Sequence, residues 1–249
     1  MIYICVPAHN DAKTVGLVLW KIRQVFGSFP REYQLLVAND GSDDATQEVL
    51  ESYEHVLPMA VVGRTKPLGY ARTIEELLRR ALRLTDRPKR DCAVTLGGDF
   101  RVSPTVVPDL IRRIESGADL VVAEANGGPQ GLGQRIVQRM SPWLLRPGVN
   151  VPGVRDLLSG VCAIRLVTLK RCLGDRNGAL LEAEGISARA ELVARTAVYA
   201  RQITAIPVES TDLREAPHRH RSVSLAWQLF RAGRTLHVPQ PETAVQRAS

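Results

Sequence analysis

Short apolar runs and helical apolar stripes alternate along the first half of the chain. Ile2 to Val6 is a continuous apolar run ended by Pro7, as in a buried strand, and Val15, Val18, Leu19, Ile22 and Phe26 then recur at helical spacing until Gly27. Tyr33 to Ala38 predicts a second strand, followed by Asn39-Asp-Gly-Ser42 and a helix through Val49 and Leu50. Met59 to Val62 is a weaker third strand. Gly69 opens a helix in which Ile74, Leu77, Leu78, Ala81 and Leu82 share a face. Cys92 to Leu96 is the fourth strand, Leu110, Ile111 and Ile114 mark the next helix, and Asp119 to Ala123 is the fifth strand. This order predicts an α/β fold with a mostly parallel central sheet and helices on both faces.

The second half is less regular. Gly127-Gly-Pro-Gln-Gly-Leu-Gly133 reads as a loop or crossover, and the stretch from Pro142 to Pro152 carries three prolines and a glycine. Val161 to Leu166 predicts another strand, Ile186 to Tyr199 a helix, and Ile203 to Val208 a late strand. Neither loop has the length or polarity of a domain linker. The expected organisation is one domain in two halves, 1–125 and 126–236, with a frayed tail at 237–249.

Composition narrows the function classes. The chain has 249 residues, 45% of them hydrophobic, enough for a full core, and no apolar run of about 18 residues that would span a membrane. Its start lacks the basic stretch and cleavage site of a signal peptide, so a cytoplasmic location is expected. Cys5, Cys92, Cys162 and Cys172 are scattered and three lie in apolar runs, which predicts buried free thiols. A formal charge of +7 points to an anionic partner. Nucleic acid is disfavoured, because an aromatic fraction of 5% offers few stacking platforms.

The candidate chemistry lies where strands end. In a parallel sheet, ligands collect at the carboxyl ends of the strands. Four polar clusters fall there: Pro7-Ala-His-Asn-Asp11, Asn39-Asp-Gly-Ser42, Lys66-Pro-Leu-Gly69 and Gly97-Gly-Asp99. Taken singly, each is ordinary turn and capping chemistry. As an ordered set they resemble the family 2 glycosyltransferases of the GT-A, Rossmann-like fold. Pro7-Ala-His-Asn-Asp11 is similar to the family's opening Pro-x-x-Asn-Glu turn, and Ala38-Asn-Asp-Gly-Ser-Asp-Asp-Ala-Thr46 to its Val-Asp-Asp-Gly-Ser-x-Asp-x-Thr. Gly69-Tyr-Ala71 matches its Gly-x-Ala, and Gly97-Gly-Asp99 falls on its Asp-x-Asp. A weaker likeness in the second half, carried by Val154-Arg-Asp-Leu-Leu-Ser-Gly160, Glu191, Ile206-Pro-Val208 and the stretch from Arg214 through Ser222 to Leu225, resembles the polyprenyl-phosphate (dolichol-phosphate mannosyltransferase) subgroup.

The resemblance implies inverting transfer from a GDP- or UDP-sugar, GDP-mannose among them, most closely to a polyprenyl phosphate. It implies donor contacts from Pro7, His9, Asp11, Asn39, Asp40, Gly69, Gly98, Asp99 and Arg101, with Asp40 accepting from a base N–H. It implies an acceptor pocket from Ser159, Gly160, Arg214, Arg221 and Ser222, with Arg135, Arg139, Arg155 and Arg165 as further available cations. Asp99 and Asp156 are the catalytic candidates. Asp156 would act as general base only for a hydroxyl acceptor, since a polyprenyl phosphate is already an anionic nucleophile. In the family, Asp99 would also hold Mg2+ or Mn2+. Gly97 removes the first carboxylate of that motif, and Arg101 stands where a further metal contact often falls. Two alternatives stay open: substrate phosphates complete the metal shell around Asp99, or Arg101 neutralises the diphosphate directly.

Three further readings accompany this one. The acceptor could be a soluble or glycan hydroxyl. Gly97, Arg101, Ala125 and Ala205 depart from residues common among relatives, which would suit a nucleotide-sugar-binding protein with impaired catalysis. Between Leu213 and His237, five arginines face Glu215 alone, and Val223, Leu225, Ala226, Trp227, Leu229 and Phe230 predict a cationic helix that could meet the inner face of an anionic membrane peripherally.

Overall fold

In the computed structural model, residues 1–125, 140, 143–145, 148–149, 151–174, 178–209, 219–236 and 238 are described. The first half alternates as its pattern predicts: β1 (Ile2–Ala8), α1 (Val15–Ser28), β2 (Tyr33–Asp40), α2 (Thr46–Glu54), β3 (Met59–Arg64), α3 (Tyr70–Leu84), β4 (Cys92–Thr95), α4 (Val107–Glu115) and β5 (Leu120–Ala125). Then come β6 (Cys162–Arg165), α5 (Leu166–Gly174), α6 (Gly185–Ala197), β7 (Ile203–Val208) and α7 (Arg219–Thr235). The described strands form one sheet in the order β3-β2-β1-β4-β6-β5-β7. All neighbours are parallel except β6, which runs antiparallel to both β4 and β5.

The strands are apolar on both sides because the sheet is covered on both sides. Ile4 and Val6 of β1 join Leu35 and Val37 of β2 in a core under α1 and α4, while Tyr3, Cys5, Leu36 and Ala38 face the opposite core with α3, α5 and α6. Successive residues therefore serve opposite cores, as the two-residue period of a strand requires. All four cysteines are buried thiols, and burial pushes those of Cys5, Cys92 and Cys162 up, Cys92 to about 12 and Cys162 to about 11.

Two elements differ from their sequence patterns. The apolar run Val161 to Leu166 contains a strand, but it ends at Arg165, and Leu166 begins α5 with no intervening turn. Helical spacing resumes there, with Leu166, Leu169, Cys172 and Leu173 all buried. The direction of β6 also has a consequence. Arg165 pairs in register with Cys92, at the start of β4, so it lies at the edge opposite the strand carboxyl ends. There it bonds Asp119, Lys89 O and Ala118 O, and it is no part of the acceptor-side cation set.

One side chain fixes β6 against β4. Thr95 pairs with Cys162, donates from Oγ1 to Gly160 O at 2.9 Å and accepts from Cys162 N at 3.1 Å. Thr95 is 1% exposed, so water cannot replace these bonds. Thr95→Val keeps the shape but leaves a buried carbonyl and amide without partners. It is expected to lower stability by about 1–3 kcal/mol, read as a shift in the urea midpoint at constant slope; an unchanged midpoint contradicts this role.

Candidate active site

Because β3, β2, β1 and β4 are adjacent and parallel, their carboxyl ends form one edge. The four polar clusters converge there. The loops after β1 and β2 are laced together: Asn10 N donates to Ser42 Oγ, Asp43 N to Asn10 Oδ1, Ala12 N to Asp44 Oδ2 and Asp11 N to Thr46 Oγ1. His9 is exposed and its Nδ1 is 2.7 Å from Asp40 O. A carbonyl can only accept, so Nδ1 carries the proton in this contact.

Asp40 is 5% exposed and turns toward the third loop. Its carboxylate accepts from Leu68 N at 2.8 Å and Gly69 N at 2.9 Å, with Arg64 at 3.5 Å. Asn39 is 3% exposed and shapes its own turn, accepting from Ser42 N and Ser42 Oγ while donating to Gln47. Asp11 accepts from His9 N, and its Oδ2 lies 3.0 Å from where a Cβ on Gly98 would stand. Pro7 O and Ala8 crowd the same spot, at 3.4 and 3.2 Å. Gly98 O in turn accepts from Thr14 Oγ1 at 2.8 Å.

Asp99 folds back over Gly97, its Oδ1 within 2.7 Å of the missing Cβ. The carboxylate is paired with Arg101 Nε at 3.0 Å, and Arg189 Nη2 stands 4.0 Å away. Arg189, on α6, also fills the space above Gly160, where an added Cβ would meet its Cδ at 2.7 Å. Gly160 has φ 73°, and Arg189 Nη1 lies 3.5 Å from both Leu158 O and Ser159 O. The Tyr70 ring packs against this guanidinium at 5.1 Å, and burial pushes the Tyr70 hydroxyl up to about 12. Asp156 is 4% exposed and accepts from Leu158 N at 2.8 Å, while Ser159 Oγ accepts from Val161 N.

The sequence-predicted donor residues Pro7, His9, Asp11, Asn39, Asp40, Gly69, Gly98, Asp99 and Arg101 are therefore all carried by the loops of one edge, and Ser159 and Gly160 reach it through Arg189. Arg155 is exposed, with its amide on Glu124. Arg135, Arg139 and Arg214 lie outside the described residues, and Arg221 and Ser222 fall in the first turns of α7. Sequence reasoning missed Arg189 and Glu184. Glu184 Oε2 accepts from Ala71 N and Gly185 N, serving the starts of α3 and α6 together, which suits a carboxylate at helix N-termini. Buried Glu191 holds this segment by accepting from Glu182 N and Ala183 N. Arg189 lies two positions before Glu191, and that closeness was its only signal.

The model of glycosyl transferase family 2 matches residues 3–167. The chain belongs to glycosyl transferase family 2. Among curated relatives, a bactoprenol glucosyl transferase of Shigella phage SfV is 24% identical over 159 residues, covering 62% of this chain and 48% of its own. A dolichol-phosphate mannosyltransferase of Pyrococcus furiosus is 23% identical over 168 residues, covering 65% and 45%. The chain thus spans about half the length of these relatives. Among solved structures, S. aureus TarS 1-349 in complex with UDP-GlcNAc superposes with TM-score 0.60 at 19% identity, covering 87% of this chain and 60% of TarS. Glucosyl-3-phosphoglycerate synthase from Mycobacterium tuberculosis, in complex with Mn2+ and UDP-Glc, superposes with TM-score 0.62 at 21% identity, covering 93% and 77%. The family 2 glycosyltransferase has the GT-A fold.

Gly69 tests the local geometry. At φ 92° and ψ 162° it occupies a backbone region open essentially to glycine, and a Cβ would stand 2.8 Å from Glu184 Oε2. Gly69→Ala is expected to cost about 1–3 kcal/mol of stability from backbone strain alone. Adding Glu184→Ala removes the steric contact and should leave that backbone part intact. Thermal melts of the single and double variants check this; a single variant as stable as wild type contradicts the geometry.

Proposed function

We propose that this family 2 chain transfers a sugar from a GDP- or UDP-sugar, with inversion, to a polyprenyl phosphate. The observation that carries the reading is the single edge at which Asp11, Asp40 and Asp99 meet Arg101 and Arg189. It offers neighbouring places for a nucleoside and for a diphosphate. The relatives named for bactoprenol and dolichol-phosphate support the acceptor class, and GDP-mannose is one donor to test. Pro7 and His9 border the nucleoside place, with the His9 ring held by the Asp40 carbonyl.

Charge development decides what the site must do. As the anomeric bond breaks, negative charge grows on the departing diphosphate, and pre-placed cations lower the barrier. A divalent cation supplies such charge in many transferases, and the M. tuberculosis neighbour contains Mn2+. Here Asp99 supplies one carboxylate, already paired with Arg101 at 3.0 Å, and among the described residues no group of three or more His, Cys, Asp or Glu gathers. That donor set does not fit a cation caged by the protein alone, and the fixed positive charge at this edge is carried by the guanidiniums of Arg101 and Arg189.

Asp156 bears on the acceptor. A hydroxyl nucleophile needs a base with reach, whereas Asp156 is buried and accepts from the Leu158 amide. An acceptor that arrives ionised needs no such base, which favours the phosphate. A thermal-shift panel of nucleoside diphosphates is expected to stabilise the chain by about 2.7 kcal/mol at 100-fold saturation, followed by transfer to undecaprenyl phosphate with inverted anomeric configuration by NMR. Asp156→Asn should then retain phosphate transfer within a few fold. A loss of about 100-fold or more would assign it as a base and return the acceptor to a hydroxyl. Absence of stabilisation by any nucleoside diphosphate overturns the reading.

The acceptor's membrane location adds a surface. No described helix is long and apolar enough to cross a bilayer. Trp143 and Trp227 are 67% and 64% exposed, and Trp227 stacks near Phe230, over which Arg234 lies at 4.1 Å. The segment carrying Trp143 is tied to α7, with Gly148 N on Gly233 O at 2.9 Å. Exposed tryptophans beside arginines suit peripheral contact with anionic lipid. The double variant Trp143→Ala/Trp227→Ala should co-sediment with phosphatidylglycerol vesicles several-fold less than wild type; wild-type protein that stays in the supernatant removes the peripheral contact.

A further inference from the structure

Three buried or half-buried arginines hold the second half of the chain to the sheet, and their surroundings differ. Arg165 Nε meets Asp119 at 3.2 Å, and its terminal nitrogens donate to the carbonyls of Lys89, Ile114 and Ala118. Arg195 is paired with both Glu191 and Glu182. These are saturated guanidiniums, as a purely structural buried cation should be. Arg189 is not. Its side chain is 16% exposed, its Nη2 is 4.0 Å from Asp99, and its Nη1 reaches two carbonyls only at 3.5 Å. Its Nε is buried without a hydrogen-bond partner. The Tyr70 ring packs on the group, the Tyr70 hydroxyl accepts a hydrogen bond from it, and the bare Cα of Gly160 leaves it room.

The pairing of Asp99 points the same way. Asp99 is the carboxylate shared by two guanidiniums, and Arg101 Nε, at 3.0 Å, is the nearer. The neighbouring carboxylates are engaged elsewhere: Asp40 by two amides and Arg64, Asp11 by the His9 amide, Glu184 by the Ala71 and Gly185 amides. Two guanidiniums therefore face the carboxylate of Asp99, and that of Arg189 is mostly withdrawn from water with donors to spare. A planar five-donor fork with unfilled donors matches the several oxygens of a diphosphate.

We propose that Arg189 is the fixed cation that receives the donor's diphosphate, so that nucleoside diphosphate binding does not require a divalent metal. This deepens the transferase reading and rests on its placing of the diphosphate beside Asp99. The guanidinium binds oxygens of the diphosphate and remains charged throughout, so no proton moves through it.

Calorimetric titration of UDP, GDP, uridine and guanosine in EDTA tests the assignment. Wild-type protein is expected to bind one diphosphate about 10- to 100-fold more tightly than its nucleoside, the range for hydrogen bonds to a charged group. Arg189→Gln should collapse that ratio to within about threefold while leaving nucleoside affinity unchanged, a split that a purely structural role would not produce. If Arg189→Gln fails to fold, shown by loss of nucleoside binding, Arg189→Lys keeps the charge without the fork and should lower the ratio partly. A ratio unchanged in the folded variant, or a wild-type ratio that appears only with Mn2+, overturns the proposal. Wild-type protein that binds neither nucleoside nor diphosphate, with or without Mn2+, overturns the transferase reading beneath it.

Discussion

At the working edge of this sheet, charged side chains lie where a Cβ would otherwise be. Asp99 closes over Gly97, Asp11 against Gly98, Glu184 over Gly69 and Arg189 over Gly160, each with an atom 2.7 to 3.0 Å from the missing carbon. A Cβ at any of these positions would push a charged group out of its present place. Electrostatic energies inside a protein fall quickly with distance and with admitted water, so this closeness sets the strength of the site. The glycines after β4 act through the space they leave. They let a carboxylate and two guanidiniums gather at one strand end.

That gathering depends in turn on how the second half docks. β6 enters the sheet between β4 and β5, fixed by Thr95, and brings Gly160 to the end of β4. α6 then lays Arg189 across it. Buried Glu191 and Arg195, four residues apart on one face of the same helix, anchor the segment that carries Glu184. The helix thus delivers one cation to Asp99 and one carboxylate to the start of α3. The start of α3 and the end of β4 thus share one helix as support.

Much of this was legible because periodicity and strand-end chemistry are local. Ile2 to Val6, Tyr33 to Ala38 and Cys92 to Leu96 read as strands from their apolar runs, and parallel neighbours put their polar ends on one edge. Strand direction is not written in a two-residue period, so Arg165 read as an acceptor-side cation until the antiparallel pairing placed it at the far edge. The start of α5 was hidden because no turn residue separates Arg165 from Leu166. Arg189 was hidden differently: in a helical pattern it is an ordinary polar position. Only the approach of Gly160, Tyr70 and Asp99, distant in sequence, distinguishes it from Arg195 on the same helix.

A cation built into the fold behaves differently from a bound ion. A metal can arrive with a donor and leave with the product, whereas Arg189, in the role proposed for it, would stay behind when the nucleoside diphosphate departs. Held alone, such a guanidinium would grip product as well as transition state, and uniform binding of that kind does not speed turnover. Asp99 changes the balance. Its carboxylate stands 4.0 Å from Arg189 and 3.0 Å from Arg101, so an incoming diphosphate competes with a charge already in place. In that role the same carboxylate would reclaim both cations as product leaves. The oxygens would gain charge as the anomeric bond breaks, so the arginines would favour the transition state over a ground state in which Asp99 shares their attraction. On the proposed reading the lone acid after two glycines would set how tightly the arginines hold the donor, and the fixed positive charge of the site would lie in side chains.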